Sequence, residues 1–329
     1  MGVKRVVRFD NGDGGSEIIV TVAQAFDDFI QDKRETNLAE KTIHNYKQSY
    51  EYFVAFELDS NDDIDINEVS KLVVGQWVQS MLDAEMRITT INHYLRDIRT
   101  FLYWCMNEDR RYINEPYKIS LVKGQEPLPK LFGDEEVNAL LQKPLTQRDW
   151  VEWRTWAIVN WVVGTGNRAG TVCNIKLGDL DFNNKEVALR HTKNKQAQKI
   201  PLPSGLITVI KEYIRKCRKG CKPKDWLFPS VTNEQLSYSA LAKSFRLYCL
   251  DRGAEHTSIH GLRHYFATDW IRNGGRGDNL QKLLGHSTYD MTQNYINLVN
   301  EDLKENLDEF NPLNKFKKGS TRSRKVSMD

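Results

Sequence analysis

Apolar residues recur at helical spacing through the first third of the chain. Val22 to Lys33 follows Thr21, a residue type suited to an N-cap, and Ile43, Tyr46, Tyr50 and Phe53 fall on one face of a helix over about Glu40 to Glu57. A third pattern covers about Asn67 to Asp83, and Ile91, Tyr94, Leu95, Ile98 and Leu102 stripe a fourth over about Thr89 to Asn107. Steps of three and four residues give each helix one apolar face to bury, so the four predict a small all-helical domain. From Glu108 to Leu131 the periodicity lapses among Pro116, Gly124, Pro127, Pro129 and charged residues. That composition reads as an interdomain linker.

Helical spacing returns near Asp134 to Gln142, Trp150 to Val163 and Arg168 to Leu177. The period then shortens to two: Val187, Leu189 and His191 alternate after an Asn183-Asn184 turn, and Lys199 to Leu202 predicts a return strand. Helices follow over about Leu206 to Arg218, Ser239 to Leu250 and His260 to Arg272, with short pieces from Asp278 to Leu307. The expected fold is mainly α with a small antiparallel β-sheet, in two domains, as a length of 329 residues also favours. The expected divisions are an N-terminal extension over 1–20, a helical domain over 21–110, a linker over 111–131, a second domain over 132–311 and a basic tail over 312–329.

A hydrophobic content of 40% with 28% charged residues is that of a water-soluble protein, and no apolar run nears the roughly 18 residues of a membrane span. The N-terminus continues into Asp, Gly and Asn rather than an apolar signal core, which points to the cytoplasm. The five cysteines are an odd, scattered set and are expected as free thiols. Cys217 and Cys221 form an isolated C-x-x-x-C without a second pair at metal spacing, so no metal is expected. The net charge of +3 hides an asymmetry: 12 basic and 20 acidic residues precede residue 111, a net of −8, which leaves +11 for the remainder. A basic second part points to a polyanionic partner. In the first domain, the faces opposite the apolar stripes carry Lys41, Thr42, His44, Asn45 and Gln48, and His93, Arg96 and Arg99. They suit DNA, although taken alone they read first as an ordinary solvated surface; Lys243, Ser244 and Arg246 on a later helix suit phosphate or groove contacts, or a plain surface helix.

Chemistry concentrates in five short segments. Ile259-His260-Gly261-Leu262-Arg263-His264 places an imidazole and a guanidinium three apart, on one helical face, where both can grip one phosphate. Leu284-Gly285-His286-Ser287 follows, and Tyr295 comes nine residues after His286. Upstream, Thr165-Gly166-Asn167-Arg168 supplies a second arginine after a glycine turn, and Lys193 sits at the tip of the expected hairpin, eight residues before Pro201.

In that order (Arg, Lys, His-x-x-Arg, His, Tyr) and in its intervals, the sequence resembles the tyrosine recombinases of the phage integrase family, over the whole second domain. The four preceding helices are similar, more loosely, to that family's core-binding (SAM-like) domain. The layout is nearest to Xer-type and mobile-element recombinases, since residues 1–20 are too few for a separate arm-binding domain. The resemblance implies a site-specific recombinase in which Tyr295 attacks a DNA phosphate to leave a 3′-phosphotyrosine and a free 5′-hydroxyl, for integration, excision, resolution or transposition of a DNA element. It also implies double-stranded core sites gripped from two sides, a homotetramer joined through exchange of the segment after Tyr295, about Glu301 to Phe310, and a place for accessory DNA-bending proteins. One departure stands out. Thr171 occupies the position three after the first arginine, where the family usually has an acid, and Asn167 stands where it tends to be apolar.

The residues suit the chemistry. Transferring a phosphodiester passes through a state with extra negative charge, which Arg168 and Arg263 are placed to stabilise with forks matched to phosphate oxygens. Tyr295, with an ordinary pKa near 10, needs a base, expected to be His260. His286 is expected to donate a hydrogen bond to a phosphate oxygen, and Lys193 to protonate the leaving 5′ oxygen. His264 reads either as packing support or as a hydrogen-bonding neighbour of the site. Lys195 and Lys199 share the hairpin with Lys193. The bond energy is conserved, and the sequence has neither a phosphate-binding Gly-x-x-x-x-Gly-Lys-Ser/Thr loop nor clustered carboxylates of the kind two-metal nucleases use, so neither ATP nor metal is expected. The alternatives are a type IB topoisomerase-like relaxing enzyme, a DNA-binding regulator without catalysis, and a histidine-metal hydrolase.

Overall fold

The computed structural model describes residues 7–8, 18–58, 61–107, 109, 112–124, 131–145, 149–190 and 198–299. The chain divides into two compact units, Met1–Pro127 and Leu128–Asp329.

The first unit is built on four helices: α1 (Val22–Glu35), α2 (Glu40–Glu57), α3 (Lys71–Asp83) and α4 (Ile88–Cys105). Thr21 caps α1 reciprocally with Gln24, which satisfies donors that the first helical turn leaves without partners. Phe26, Phe29, Ile43, Phe53, Trp77, Leu95, Ile98 and Leu102 bury the predicted stripes in one core. A short antiparallel pair, β1 (Val7–Arg8) with β2 (Ile18–Ile19), precedes the bundle.

Two features depart from the periodicity. The third helix begins four residues later than expected, because Asp65 caps a separate 3-10 turn over Ile66–Glu68 and Ser70 then caps α3 by accepting from the Val73 N–H. The proline-bearing stretch read as a linker is also partly core: Ile113 and Ile119 are buried among the helices. The Tyr103 hydroxyl donates to the Ile119 carbonyl and accepts its N–H, and the Asn92 side chain pairs in the same way with Val122. An extended strip without periodicity is held here by side chains that complete its backbone hydrogen bonds.

The second unit surrounds α6 (Trp150–Thr165), whose buried residues include Trp153, Trp156, Ile158, Val159, Trp161 and Val162. A helix apolar on every side needs cover on every side. It is provided by α5 (Asp134–Leu141), α8 (Ser204–Cys217), α9 (Tyr238–Leu250) and α10 (Ile259–Arg272). The helix expected over Arg168–Leu177 is only the short α7 (Ala169–Val172). Beyond it the backbone pairs with the 223–227 segment: Leu177 donates to Asp225, and Leu227 donates to Ile175.

The sheet has three antiparallel strands in the order β3 (Leu180–Asp181), β4 (Glu186–Leu189) and β5 (Gln198–Pro201). Leu180 pairs with Val187, and Val187 with Ile200. Asp181 fixes the first turn by accepting from the Asn183 and Asn184 N–H groups. Val187, Leu189 and Ile200 are buried. Residues 191–197, with His191, Lys193 and Lys195, lie outside the described residues. Two further helices, α11 (Gly277–Leu284) and α12 (Asp290–Val299), close the described chain. The segment after Tyr295 expected to reach a neighbouring protomer and the basic tail, 301–329, also lie outside it.

Candidate active site

α6 ends where Gly166 turns left-handed, at φ 64°. A Cβ at Gly166 would stand 2.4 Å from Phe266 and 2.5 Å from Leu284, so both the dihedral and the space demand glycine. Asn167, buried next to it, accepts from the Trp161 indole at 3.0 Å and donates its N–H to the Thr165 hydroxyl at 3.3 Å. This locked turn delivers Arg168 to the start of α7.

Arg263 arrives from α10 and is buried. Its Nη1 donates to the Gly166 carbonyl at 2.7 Å and its Nη2 to the Leu284 carbonyl at 3.1 Å. Arg168 Nη1 reaches the Leu284 and Gly285 carbonyls at 3.3 and 3.5 Å. Thr171 is buried beside it and makes no hydrogen bond to its guanidinium. In place of a carboxylate, both arginines meet carbonyls at the C-terminal, negative end of α11. Both cations line a cavity of about 630 Å³, together with Thr171, Leu189, Gln198 and the Gln281–Ser287 segment. Burial lowers the pKa of both, and with the charge of Arg168 it brings Arg263 to about 10. Two desolvated cations side by side favour an anion between them.

His286 Nε2 lies 2.9 Å from Arg263 Nη2, and its Nδ1 lies 2.9 Å from the Thr292 hydroxyl. A guanidinium only donates, so Nε2 accepts and the ring proton sits on Nδ1. The donation to phosphate expected of His286 thus requires it to give up the Arg263 contact. Burial and the charges of Arg263 and Arg168 hold its pKa near 4.

Tyr295 projects from α12 into a small apolar cluster with Ala267, Leu280 and Leu284, and is 7% exposed. Its hydroxyl lies 3.0 Å from His264 Nδ1 and close enough to Arg263 for that charge to act on it. No hydrogen bond joins it to His260 among the described residues. Instead His260, exposed on the same helix, meets His264 edge-to-face with ring centroids 4.5 Å apart. Desolvation, then the charges of His264, Arg263 and Arg168, lower the His260 pKa to about 4. Burial and Arg263 lower that of His264. Burial raises the Tyr295 pKa, against the pull of Arg263 and Arg168.

Residues 130–301 match the family model described as the phage integrase family, and they contain every position of this site. The chain belongs to that family. Among curated relatives, the tyrosine recombinase XerA of Pyrococcus furiosus is 30% identical over 228 residues, 69% of this chain and 76% of that protein. The tyrosine recombinase XerC of Listeria innocua is 27% identical over 297 residues, 87% of this chain and 96% of that protein. A variant of the Tn1549 transposon integrase, solved in complex with transposon right end DNA, aligns with a TM-score of 0.70 at 20% identity, over 84% of this chain and 94% of that one. A lambda integrase dimer bound to a COC′ core site aligns with a TM-score of 0.64 at 17% identity, over 84% of this chain and 77% of that one. This tyrosine recombinase is therefore a DNA strand transferase acting in site-specific recombination, and relaxation of the topoisomerase kind is not the favoured reading.

The structure thus brings together five of the six ordered positions of this recombinase: Arg168, His260, Arg263, His286 and Tyr295. Lys193 falls outside the described residues. Sequence reasoning passed over Thr292, three residues before Tyr295, and Gln198, whose side chain donates to the Lys282 carbonyl and ties β5 to α11. It left the part of His264 open. Four residues from His260, His264 shares its helical face, which is the signal that places it in the site.

In the first unit Lys41, His44, Gln48, His93 and Arg96 are exposed, while Thr42, Asn45 and Arg99 are half-buried. Asp97 lies among them, accepting from Ser49 at 2.8 Å with His93 at 4.0 Å. On α9 Lys243 and Arg246 are exposed, whereas the Ser244 hydroxyl is spent on the Leu241 carbonyl. No helix of the described residues is long and apolar enough to cross a membrane.

Proposed function

We propose that this chain cuts and rejoins duplex DNA at specific core sites through a covalent 3′-phosphotyrosine on Tyr295. The observation that carries the reading is the pair of guanidiniums, half-buried Arg168 and buried Arg263, gathered on the Leu284 carbonyl with the Tyr295 hydroxyl near Arg263. A scissile phosphate seated on these cations gains charge in the transition state, and preformed donors in a desolvated site stabilise that gain. Arg168 and Arg263 hold its non-bridging oxygens, with His260 at the exposed side. His286 orients Arg263 and turns to the phosphate when DNA displaces their contact. The histidines of α10 accept the Tyr295 proton, and Lys193 supplies one to the departing 5′ oxygen.

The exposed Lys41, His44 and Arg96 of the first unit, with Thr42, Asn45, Gln48 and Arg99 beside them, contact the DNA, as do Lys243 and Arg246 on α9. Their number matters because each phosphate contact steepens the loss of affinity with salt. The enzyme works in the cytoplasm as a tetramer on DNA, held by exchange of the 301–310 segment. DNA-bending partners act at some sites, and the substrates are the ends or junctions of a mobile DNA element.

The test uses a target duplex selected from a random-sequence pool by binding to the full chain carrying Tyr295→Phe, then nicked near its centre to trap cleavage. The wild-type chain should form an adduct that survives denaturing electrophoresis, in excess chelator and without ATP. Tyr295→Phe should bind and form none. A wild-type chain that binds without any adduct overturns the proposal.

A further inference from the structure

The Tyr295 hydroxyl has one proton and, in the structure, two neighbours. Arg263, whose charge acts on the phenolic oxygen, has only donors and can take no proton from it. The remaining contact, to His264 Nδ1 at 3.0 Å, is then the one that takes the hydroxyl proton. This is the arrangement a nucleophile needs before attack: a cation on the oxygen to stabilise the developing phenolate, and a ring lone pair on the proton. His264 is held for it by its place on α10 directly after Arg263, so one helical turn positions both partners of the hydroxyl. Tyr295 itself is 7% exposed, which leaves bulk water poorly placed to remove the proton. Behind His264 the ring of His260 stands edge-on at 4.5 Å between centroids and reaches the surface.

We propose that His264 is the immediate proton acceptor for Tyr295, and that His260 is the path by which that proton leaves. This rests on the recombinase reading above and assigns a residue within it. As the bond from Tyr295 Oη to phosphorus forms, the Oη–H bond breaks and its proton passes to His264 Nδ1. The phosphorus–O5′ bond breaks at the same centre, and O5′ takes its proton from the general acid. The His264 imidazolium then gives up its Nε2 proton through His260 to solvent. In religation the sequence reverses, and His264 returns the proton to the tyrosine.

The test compares full-length wild type, His264→Asn and His264→Ala in single-turnover cleavage of the nicked selected duplex, from pH 6 to pH 9. Asparagine keeps a polar partner for the hydroxyl but takes no proton. Removal of a general base costs about 10²–10⁴-fold in rate, so His264→Asn should bind DNA as wild type does and cleave at least a hundredfold more slowly. Its rate should climb tenfold per pH unit as hydroxide replaces the base, where the wild-type profile stays level. Cleavage by His264→Asn within threefold of wild type, with the same profile, overturns the assignment while the wild-type adduct leaves the recombinase reading standing. No adduct from wild type overturns both. Should His264→Asn lose its fold, ¹⁵N-histidine spectra of the wild-type chain decide. An unprotonated Nδ1 on His264 whose resonance moves in Tyr295→Phe supports the proposal, and a protonated Nδ1 overturns it.

Discussion

Arg168 and Arg263 share one acceptor, the Leu284 carbonyl, at 3.3 and 3.1 Å. They are not equally secured. Arg263 has a second carbonyl at 2.7 Å and the His286 ring at 2.9 Å, whereas Arg168 has, among the described residues, only a further 3.5 Å contact, at the limit of a useful hydrogen bond. Thr171, buried three residues on, offers its guanidinium nothing. We therefore expect Thr171→Glu to raise the single-turnover cleavage rate, by about 2- to 10-fold, since a charge-assisted pair contributes about twice what a neutral hydrogen bond does. A carboxylate at the third position of α7 also suits the helix N-terminus. The measurement is adduct formation against time at saturating enzyme. A rate equal to or below wild type would show that the Leu284 and Gly285 carbonyls already orient Arg168 fully.

Gly166 joins two constraints in one residue. Its φ of 64° strains any side chain, and a Cβ would collide with Phe266 and Leu284. Its carbonyl is the shortest contact of Arg263. Gly166→Ala should cost about 2–4 kcal/mol in urea denaturation, from backbone strain together with overpacking. Cleavage should fall more steeply than stability, because the carbonyl that seats Arg263 shifts with the turn.

How much of this was legible beforehand differs by kind of feature. The stripes Ile43 to Phe53 and Ile91 to Leu102 announced their helices because burial follows the 3.6 period directly. The helix expected over Arg168–Leu177 failed where tertiary pairing took over: the backbone of Ile175 and Leu177 bonds to Leu227 and Asp225, a partnership no local pattern encodes. The positions gathered at the candidate site were legible as an ordered set, through family resemblance. What holds them was not. The Leu284 carbonyl is a backbone atom, to which sequence identity is silent, and the choice of His264 over His260 as the partner of Tyr295 depends on ring orientation within one helical turn.

Glu136 predicts a stability effect remote from the DNA chemistry. Partial burial alone would raise its pKa, but hydrogen bonds from Gly133, His256 and Glu255 outweigh it and bring the value to about 2. The carboxylate takes three backbone N–H groups and the His256 ring, at 2.9–3.1 Å, pinning the start of α5 to the approach of α10. With an unfolded pKa near 4.3, this stabilisation is present in full above that value and is lost as pH falls toward 2. Glu136→Gln should lower stability at pH 7 by about 1–3 kcal/mol and flatten the acid side of a plot of urea midpoint against pH.

His286 has the same sign in a higher window. Its folded pKa of about 4 lies below an unfolded value near 6.5, so the unfolded chain binds the extra proton between the two. The stability gained by keeping the ring neutral is present above about pH 6.5 and declines as pH falls through that interval. His286→Gln removes this dependence. The stability gap between wild type and variant should therefore narrow by about 1–2 kcal/mol from pH 7 to pH 5, as read from denaturant titrations of the DNA-free protein. A gap that widens would mean that the ring is protonated in the folded site and that Arg263 is not its donor partner.

Lys193 can be tested by changing the leaving group instead of the protein alone. An alcohol departs poorly without a proton, whereas a thiol, with an ordinary pKa near 8.5, departs as the anion. On the nicked duplex with its normal 5′ oxygen at the cleaved bond, Lys193→Ala should lose about 10²–10⁴-fold in cleavage rate, the usual scale of general-acid assistance. With sulfur in place of that bridging oxygen, Lys193→Ala should approach the wild-type rate. Arg263→Lys should not, because it loses charge stabilisation and geometric fit rather than a proton. Lys195→Ala and Lys199→Ala, close by in the sequence, serve as controls. If sulfur restores one of these variants and leaves Lys193→Ala slow, the proton comes from that neighbour, and the interval to Pro201 has pointed to the wrong lysine.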